Sequence, residues 1–308
     1  MEKNSKIYIA WHNGLVGTAI IRRLSEKWYT NLLTRSRSEL DLLNGQRVRA
    51  FFEVEKPEYV ILTAAKVWWA WVNAAFPFEM LYENMQIQNN VIGAALQYDV
   101  QKFIFIASST IYPSECHQPI SEWELLWWPL DPLHESYGLA KISGLKLCEK
   151  IRKQTGREFI TLAPTNIYGV WDHFEEARAH VIWALMTRFH HAKKEGLSEV
   201  SVWWSGVALR EFLYVDDIAI AIQFFMENTI DADMINIGTD QEVSIRDLSY
   251  MIREIIWYTG EIIFDTTKPE WRLRRKLDTT LADSLWWKSS IPLKEWLHRT
   301  YQYFLSIQ

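Results

Sequence analysis

Glycine is scarce in this chain. The 308 residues contain 12 glycines, where ordinary usage of about 7% would give roughly 22. Cysteine is scarcer still: Cys116 and Cys148 are the only two, too few for a disulfide framework and without a metal-binding spacing, so no metal is expected. No block of like charges occurs and the net charge is −5, so neither nucleic acid nor a membrane surface is an expected partner. No apolar run approaches the roughly 20 residues needed to span a bilayer. The opening residues, MEKNSKIYIA, lead straight into a β-rich run rather than a signal peptide. A cytoplasmic enzyme is the reading these absences leave.

Tryptophan is in excess, with 17 residues. Several come in pairs: Trp68-Trp69, Trp127-Trp128, Trp203-Trp204 and Trp286-Trp287. Others stand where turn chemistry calls for glycine, such as Trp28 between a helix and a strand, Trp257 before Tyr-Thr-Gly, and Trp271 after Lys-Pro-Glu. The chain reads as if many glycines had become tryptophan.

Strand-like and helix-like segments alternate through the first half. Strands are expected near 6–10, 31–35, 59–63, 102–107 and 159–163, and helices near 15–27, 45–55, 79–98 and 137–155. This alternation predicts an α/β fold with a doubly wound parallel sheet and helices on both faces. The run FIFIAS is apolar nearly throughout, as a strand buried on both faces should be. Beyond residue 170 the pattern loosens, with a helix near 178–194 and short strands around 200–204 and 211–214. Asp216-Asp217 opens a further helix, and MINIG follows as a strand. Both are expected to return to the main sheet. The expected division is therefore 1–170 plus 210–238 for a nucleotide-binding domain, with 171–209 plus 239–308 as a smaller C-terminal substrate lobe.

The most specific chemical signal is YGLAK, Tyr137 to Lys141. Residues i and i+4 share a helix face, so phenol and ammonium point into the same space. A nearby cation should favour phenolate and lower the tyrosine pKa. A lone Tyr-x-x-x-Lys is usually two solvated helix residues, and order along the chain is what gives it weight. A glycine loop follows the first strand, TAAKV (63–67) ends the third, ASSTIYP (107–113) ends the fourth, and PTNIYG (164–169) closes the fifth. Strand ends along one edge of a parallel sheet are where such folds bind ligands. At the end of the second strand stand Arg35 and Arg37, with no acid until Glu39. An acid there would bind the ribose 2′-hydroxyl of NAD, whereas arginine suits the 2′-phosphate of NADP. NADP(H) is the expected cofactor, with two solvated arginines as the alternative.

On these motifs the chain resembles the extended short-chain dehydrogenases/reductases and, within them, the GDP-L-fucose synthases. HNGLVG, ENMQIQNNVI, SSTIYP, ESYGLAKISGLKLCE, PTNIYG, AHVI, REFLYVDD and KLD carry the resemblance over nearly the whole chain. It implies a Rossmann-type fold acting on GDP-4-keto-6-deoxy-D-mannose, first as a 3,5-epimerase and then as a C4 reductase. Tyr137 would donate a proton to the C4 oxygen, Lys141 would hold the nicotinamide ribose, and Ser108 would hydrogen-bond the C4 oxygen. His180 would be the acid in epimerisation, a task suited to a side chain that exchanges protons near neutrality. A helix-surface histidine is the alternative.

For the cofactor, the resemblance implies Trp11, Asn13, Gly14, Leu15, Val16 and Gly17 in the first loop. Arg35, Arg37, Asp41 and Leu42 follow the second strand, Ala107 and Ser108 the fourth, and Pro164, Asn166 and Ile167 the fifth, together with Lys141 and His180. Arg188, Trp203, Arg210 and Glu270 would contact the substrate, the arginines matching diphosphate oxygens. A homodimer through the helices near 79–98 and 137–155 is expected by the same resemblance.

Three departures bear on activity. Trp11 replaces the first glycine of the loop, where a tight turn disfavours a bulky residue. Thr110 replaces the cysteine that serves the family as epimerase base. A thiol with pKa ~8.5 can take a proton from carbon beside a ketone, and a threonine hydroxyl does not ionise in that range. In KVWWAW, Trp68, Trp69 and Trp71 stand where the family has a glycine loop beside the sugar. Two rival expectations follow: a reductase only, giving GDP-D-rhamnose, and a non-catalytic nucleotide-sugar-binding scaffold.

Overall fold

The computed structural model describes residues 1–66, 75–172, 180–267 and 273–307. Trp68, Trp69, Trp71, Glu270 and Trp271 lie outside the described residues.

The first half alternates as its sequence implies. β1 (Ile7–Ala10) leads to α1 (Leu15–Glu26), β2 (Leu32–Leu33), α2 (Gly45–Glu55) and β3 (Tyr59–Leu62). There follow α3 (Pro77–Gln97), β4 (Lys102–Ile106), α4 (Glu135–Thr155) and β5 (Glu158–Pro164). The second half holds β6 (Asn166–Tyr168), α5 (Val181–Glu195), β7 (Glu199–Trp203), β8 (Leu209–Arg210), β9 (Phe212–Tyr214), α6 (Val215–Glu227) and β10 (Met234–Ile237). It ends with β11 (Val243–Ser244), α7 (Ile245–Ile256), β12 (Glu261–Asp265), β13 (Arg274–Arg275), α8 (Thr280–Ser284) and α9 (Leu293–Ser306).

Six strands form the central sheet in the order β10-β5-β4-β3-β1-β2, and every pairing is parallel. Successive side chains on a strand point to opposite faces. Ile7, Ile9, Ile61, Ile104 and Ile160 therefore pack with α1 and α6 on one side. Tyr8, Ala10, Val60, Leu62, Phe103, Phe105 and Phe159 pack with α2, α3 and α4 on the other. This is the doubly wound Rossmann-type sheet expected from the alternation. β4 is buried along its whole length, and even its Lys102 is kept inside by an ion pair with Glu158 at 2.8 Å.

The remaining strands are short. β7 pairs with β12, β8 lies between β11 and β13, and β6 pairs with β9. α7 buries Ile245, Leu248, Ile252, Ile255 and Ile256, an apolar stripe at helical spacing, with Ser249 buried among them. Its N-cap Ser244 accepts from the amide of Asp247 at 2.9 Å. Among the described residues no helix is long and apolar enough to cross a membrane.

The tryptophan excess has a structural counterpart. Among the described residues ten non-glycine positions have positive φ, and six are tryptophans: Trp11, Trp28, Trp171, Trp204, Trp257 and Trp286, between 59° and 72°. This is the left-handed region, where a Cβ crowds the following carbonyl and glycine is the favoured residue. Trp257 ends α7 in this conformation, its amide donating to Glu254 at 3.1 Å. A helix end of that kind is usually a glycine.

Candidate active site

The carboxyl ends of β1, β3, β4 and β5 open on one edge of the sheet, because all run parallel. The loop after β1 turns at Trp11 and enters α1 with Gly14 as N-cap, which supplies no side-chain cap. Backbone amides at such a helix start suit an anion. Gly17 is required by close approach: a Cβ there would lie 2.3 Å from the Trp11 carbonyl oxygen. Thr18 Oγ1 closes the turn by donating to the His12 carbonyl at 3.1 Å. Leu15 and Val16 are half-buried in the first turn, and Asn13 is exposed. The Trp11 indole sits over Gly14, where a Cβ would come within 2.6 Å of its Cδ1. A dinucleotide fits this cradle in its turn and its helix start, and the indole crowds the pyrophosphate position.

After β2, Arg35 is committed to Glu55 at 2.6 Å and its guanidinium stacks 5.3 Å from the Phe51 ring. Arg37 is exposed and forms no ion pair among the described residues. Arg37 is thus the more available cation for a 2′-phosphate. Asp41 accepts from the Leu43 amide at 3.1 Å on the way to α2, beside buried Leu42.

β4 delivers the next group. Ala107 is buried, and Ser108 Oγ caps a tight turn over Ser109–Ile111 by accepting from the Thr110 amide at 3.2 Å. Thr110 Oγ1 is buried without a hydrogen-bond partner among the described residues. α4 packs directly on this turn because Gly138 has no side chain: a Cβ there would lie 3.0 Å from the Thr110 carbonyl oxygen. Tyr137 and Lys141 follow on the same helix, both buried. Lys141 Nζ donates to the Ile106 carbonyl at 2.7 Å and lies 5.8 Å from the centre of the Tyr137 ring.

Burial pushes Lys141 down to about 7 and raises the Tyr137 phenol above its ordinary value. The expectation that Lys141 lowers the Tyr137 pKa is therefore not met. Removal of the phenol from water outweighs a cation whose donor is already directed at a carbonyl. Tyr137 therefore keeps its proton near neutrality.

The ends of β5 and β6 complete the edge. Pro164 is buried, Ile167 half-buried, and Asn166 Nδ2 donates to the Glu211 carbonyl at 2.9 Å. His180 caps the start of α5, and its Nδ1 donates to Asp172 Oδ2 at 2.8 Å. Burial opposes the imidazolium, but the bond to Asp172 and its charge overcome that cost and hold His180 above the usual histidine value. Arg188 and Trp203 line a cavity of about 490 Å³ with Thr187, His191, Glu199 and Ser201. The Arg188 guanidinium is held there by the Ser201 carbonyl at 2.8 Å and lies 5.8 Å from the Trp203 ring. Arg210 is not part of that lining. It sits on β8 between β11 and β13.

Three participants were not evident in the sequence. Asp172 lies eight positions before His180 and pairs with it only through the fold. Glu211, fully buried, accepts from the amides of Thr239, Asp240 and Leu277 at 2.6, 3.0 and 3.1 Å. Arg275 on β13 donates to the Ser109 carbonyl, inside the turn that carries Ser108 and Thr110. Only Glu211, an acid in the otherwise apolar run EFLYV, carries a local signal.

The model of the NAD dependent epimerase/dehydratase family matches residues 7–238. A putative GDP-L-fucose synthase 2 of Arabidopsis thaliana is 44% identical over 305 residues, covering 99% of this chain and 93% of that protein. A GDP-L-fucose synthase of Escherichia coli (strain K12) is 42% identical, covering 98% and 97%. Among solved structures, a GDP-mannoheptose C4 reductase from Campylobacter jejuni with NADP bound superposes with a TM-score of 0.92 at 35% identity, covering 99% of each chain. With likeness of this extent on a sheet edge of this build, the chain belongs to the NAD dependent epimerase/dehydratase family, alongside its GDP-L-fucose synthases.

Proposed function

We propose that this chain is an NADPH-dependent enzyme that converts GDP-4-keto-6-deoxy-D-mannose to GDP-L-fucose, by epimerisation at C3 and C5 and reduction at C4. The observation that carries this reading is the buried Tyr137–Lys141 pair on a helix packed against the Ser108–Thr110 turn. When bound, NADPH supplies the hydride that reduces C4. Tyr137 gives its proton to the C4 oxygen as the carbonyl becomes an alcohol, and Ser108 holds that oxygen by a hydrogen bond. Lys141 binds the nicotinamide ribose and, charged, stabilises the phenolate left on Tyr137. His180 protonates carbon during epimerisation. Arg188 and Trp203 hold the guanosine diphosphate end, Arg188 by charge and the indole by its apolar face. Arg210 and Glu270 complete the substrate contacts, on a lobe formed by 171–209 and 239–308.

The same reading places the enzyme in the cytoplasm as a homodimer through α3 and α4. Support for the dimer comes from apolar side chains exposed on those helices. Phe78 and Tyr82 stack 5.3 Å apart, and Leu139 and Leu147 are also exposed.

Thr110 favours a second reading, reduction without epimerisation. Its buried hydroxyl, unpartnered among the described residues, offers a hydrogen bond where the chemistry requires a base. The test is to incubate the purified protein with NADPH and the keto sugar and to identify the product. GDP-L-fucose supports the first reading and GDP-D-rhamnose the second. If neither this chain nor its Trp11→Gly variant oxidises NADPH with the sugar present, both are wrong and the scaffold remains.

A further inference from the structure

Asp172 and His180 stand at the two ends of residues 173–179 and are joined by a hydrogen bond of 2.8 Å from Nδ1 to Oδ2. The two ends differ in exposure: the Asp172 side chain is 3% exposed and that of His180 51%. A carboxylate this deeply buried requires a firm partner, because an unpaired one is costly. The backbones on either side are also fixed. Asp172 follows β6 and Gly169, and the Gly169 carbonyl accepts from Trp183 Nε1 at 3.1 Å, which ties the start of α5 to the end of β6. Next to Asp172, the Trp171 ring lies against Arg22 and Tyr303, at 4.8 and 6.2 Å. The carboxylate is therefore held in place, and the imidazole is held by it.

We propose that Asp172 is a positioning residue for His180, fixing the proton on Nδ1 so that Nε2 is the nitrogen that exchanges a proton with the substrate. A ring nitrogen committed to a carboxylate selects the tautomer and leaves the other for chemistry. This inference rests on the reading of His180 as the acid of epimerisation. In that step the imidazolium Nε2–H bond breaks and the proton adds to the enolate carbon. The enolate's electron pair forms the C–H bond, the carbonyl is restored, and the imidazole is left neutral. Nδ1 keeps its proton throughout, donating it in the hydrogen bond to Asp172. The charge of Asp172 favours the imidazolium before the transfer, consistent with the raised pKa of His180. A plain structural role, an acid beside a helix start, would contribute to stability and leave the histidine's tautomer unspecified.

The test is to titrate the eight histidines by ¹⁵N-correlated NMR in the parent, in Asp172→Asn and in Asp172→Glu. The expected result is that Asp172→Asn lowers the His180 pKa by about one unit or more, with nitrogen shifts that report loss of the Nδ1–H form. Asp172→Glu should restore part of both. Deuterium uptake from D₂O into the sugar at C3 and C5 should fall at least about tenfold in Asp172→Asn. A His180 that keeps its pKa and tautomer in both variants overturns the proposal, even if the thermal midpoint drops. Failure of the epimerase reading looks different: no exchange would occur in the parent, with or without turnover, while the His180 titration would still respond to Asp172.

Discussion

The indole of Trp11 covers Gly14: a Cβ on Gly14 would lie 2.6 Å from indole Cδ1 and 3.0 Å from Nε1. The tryptophan is at φ 72° and 42% exposed, so it fills the space over the start of α1 without being packed into a core. A pyrophosphate approaching those amides has to displace it. The Trp11→Gly variant should bind NADPH at least about tenfold more tightly, a gain of about 1.4 kcal/mol. Cofactor fluorescence on titration measures this. Equal affinity in both proteins would mean that the indole swings aside at negligible cost.

Lys141 sets a pH dependence of stability. Its folded pKa is lowered to about 7 from 10.5, so between those values the folded state binds fewer protons than the unfolded state. Stability therefore rises with pH from about 7 upward, and the full penalty of burying the ammonium is felt below that. Urea midpoints measured from pH 6.5 to 9 should climb in the parent, and the slope should be reduced in Lys141→Met. A parent and variant with parallel profiles would show that Lys141 is charged at no cost.

How much of this could be read from the sequence depends on the distance over which each feature is determined. The buried strands and their helices were legible because β1, β3, β4 and β5 are apolar runs joined by helical spacing, and the parallel sheet follows from their alternation. The glycine-like character of Trp28 and Trp257 was also legible, because a chain leaving a helix requires a left-handed residue within one or two positions. Trp171 and Trp286 carry no such local sign of a left-handed turn, since no helical pattern of comparable length precedes them. β8, β11 and β13 have two residues each, and their pairing joins positions more than 30 apart, so no local pattern exists to find. The Asp172–His180 and Arg275–Ser109 contacts are likewise products of the fold. The lowered pKa expected for Tyr137 failed for a related reason: burial, which overrides the neighbouring charge, is not visible in five residues.

Exposed left-handed tryptophans should be a liability that glycine removes. Trp257 and Trp286 are 80% and 90% exposed at φ 59° and 67°, so truncating them sacrifices little packing. Relief of Cβ crowding is worth about 1–2 kcal/mol, offset by about 0.4–1 kcal/mol from glycine's greater unfolded-state freedom. Trp257→Gly and Trp286→Gly should each stabilise the protein by about 0.5–1 kcal/mol, and their effects should add because the sites are separate. Denaturant unfolding of the two single variants and the double variant decides this. Unchanged midpoints would show that the left-handed turns tolerate the indoles.

Thr110 should limit epimerisation. It stands in the turn that Ser108 caps, its carbonyl against Gly138 and its hydroxyl buried without a partner among the described residues. Removing a proton from carbon beside a ketone requires a group that is deprotonated near neutrality, and a threonine hydroxyl is not. A thiol at the same Cβ is close in size, starts from a pKa of ~8.5 and supplies a usable thiolate fraction. Thr110→Cys should therefore raise deuterium uptake at C3 and C5 per NADPH oxidised by about tenfold or more. The share of GDP-L-fucose over GDP-D-rhamnose in the product should rise with it, which mass and proton spectra of the product resolve together. If the parent already exchanges at the rate of the cysteine variant, another group acts as the base and Thr110 is not the reason for any loss of epimerisation.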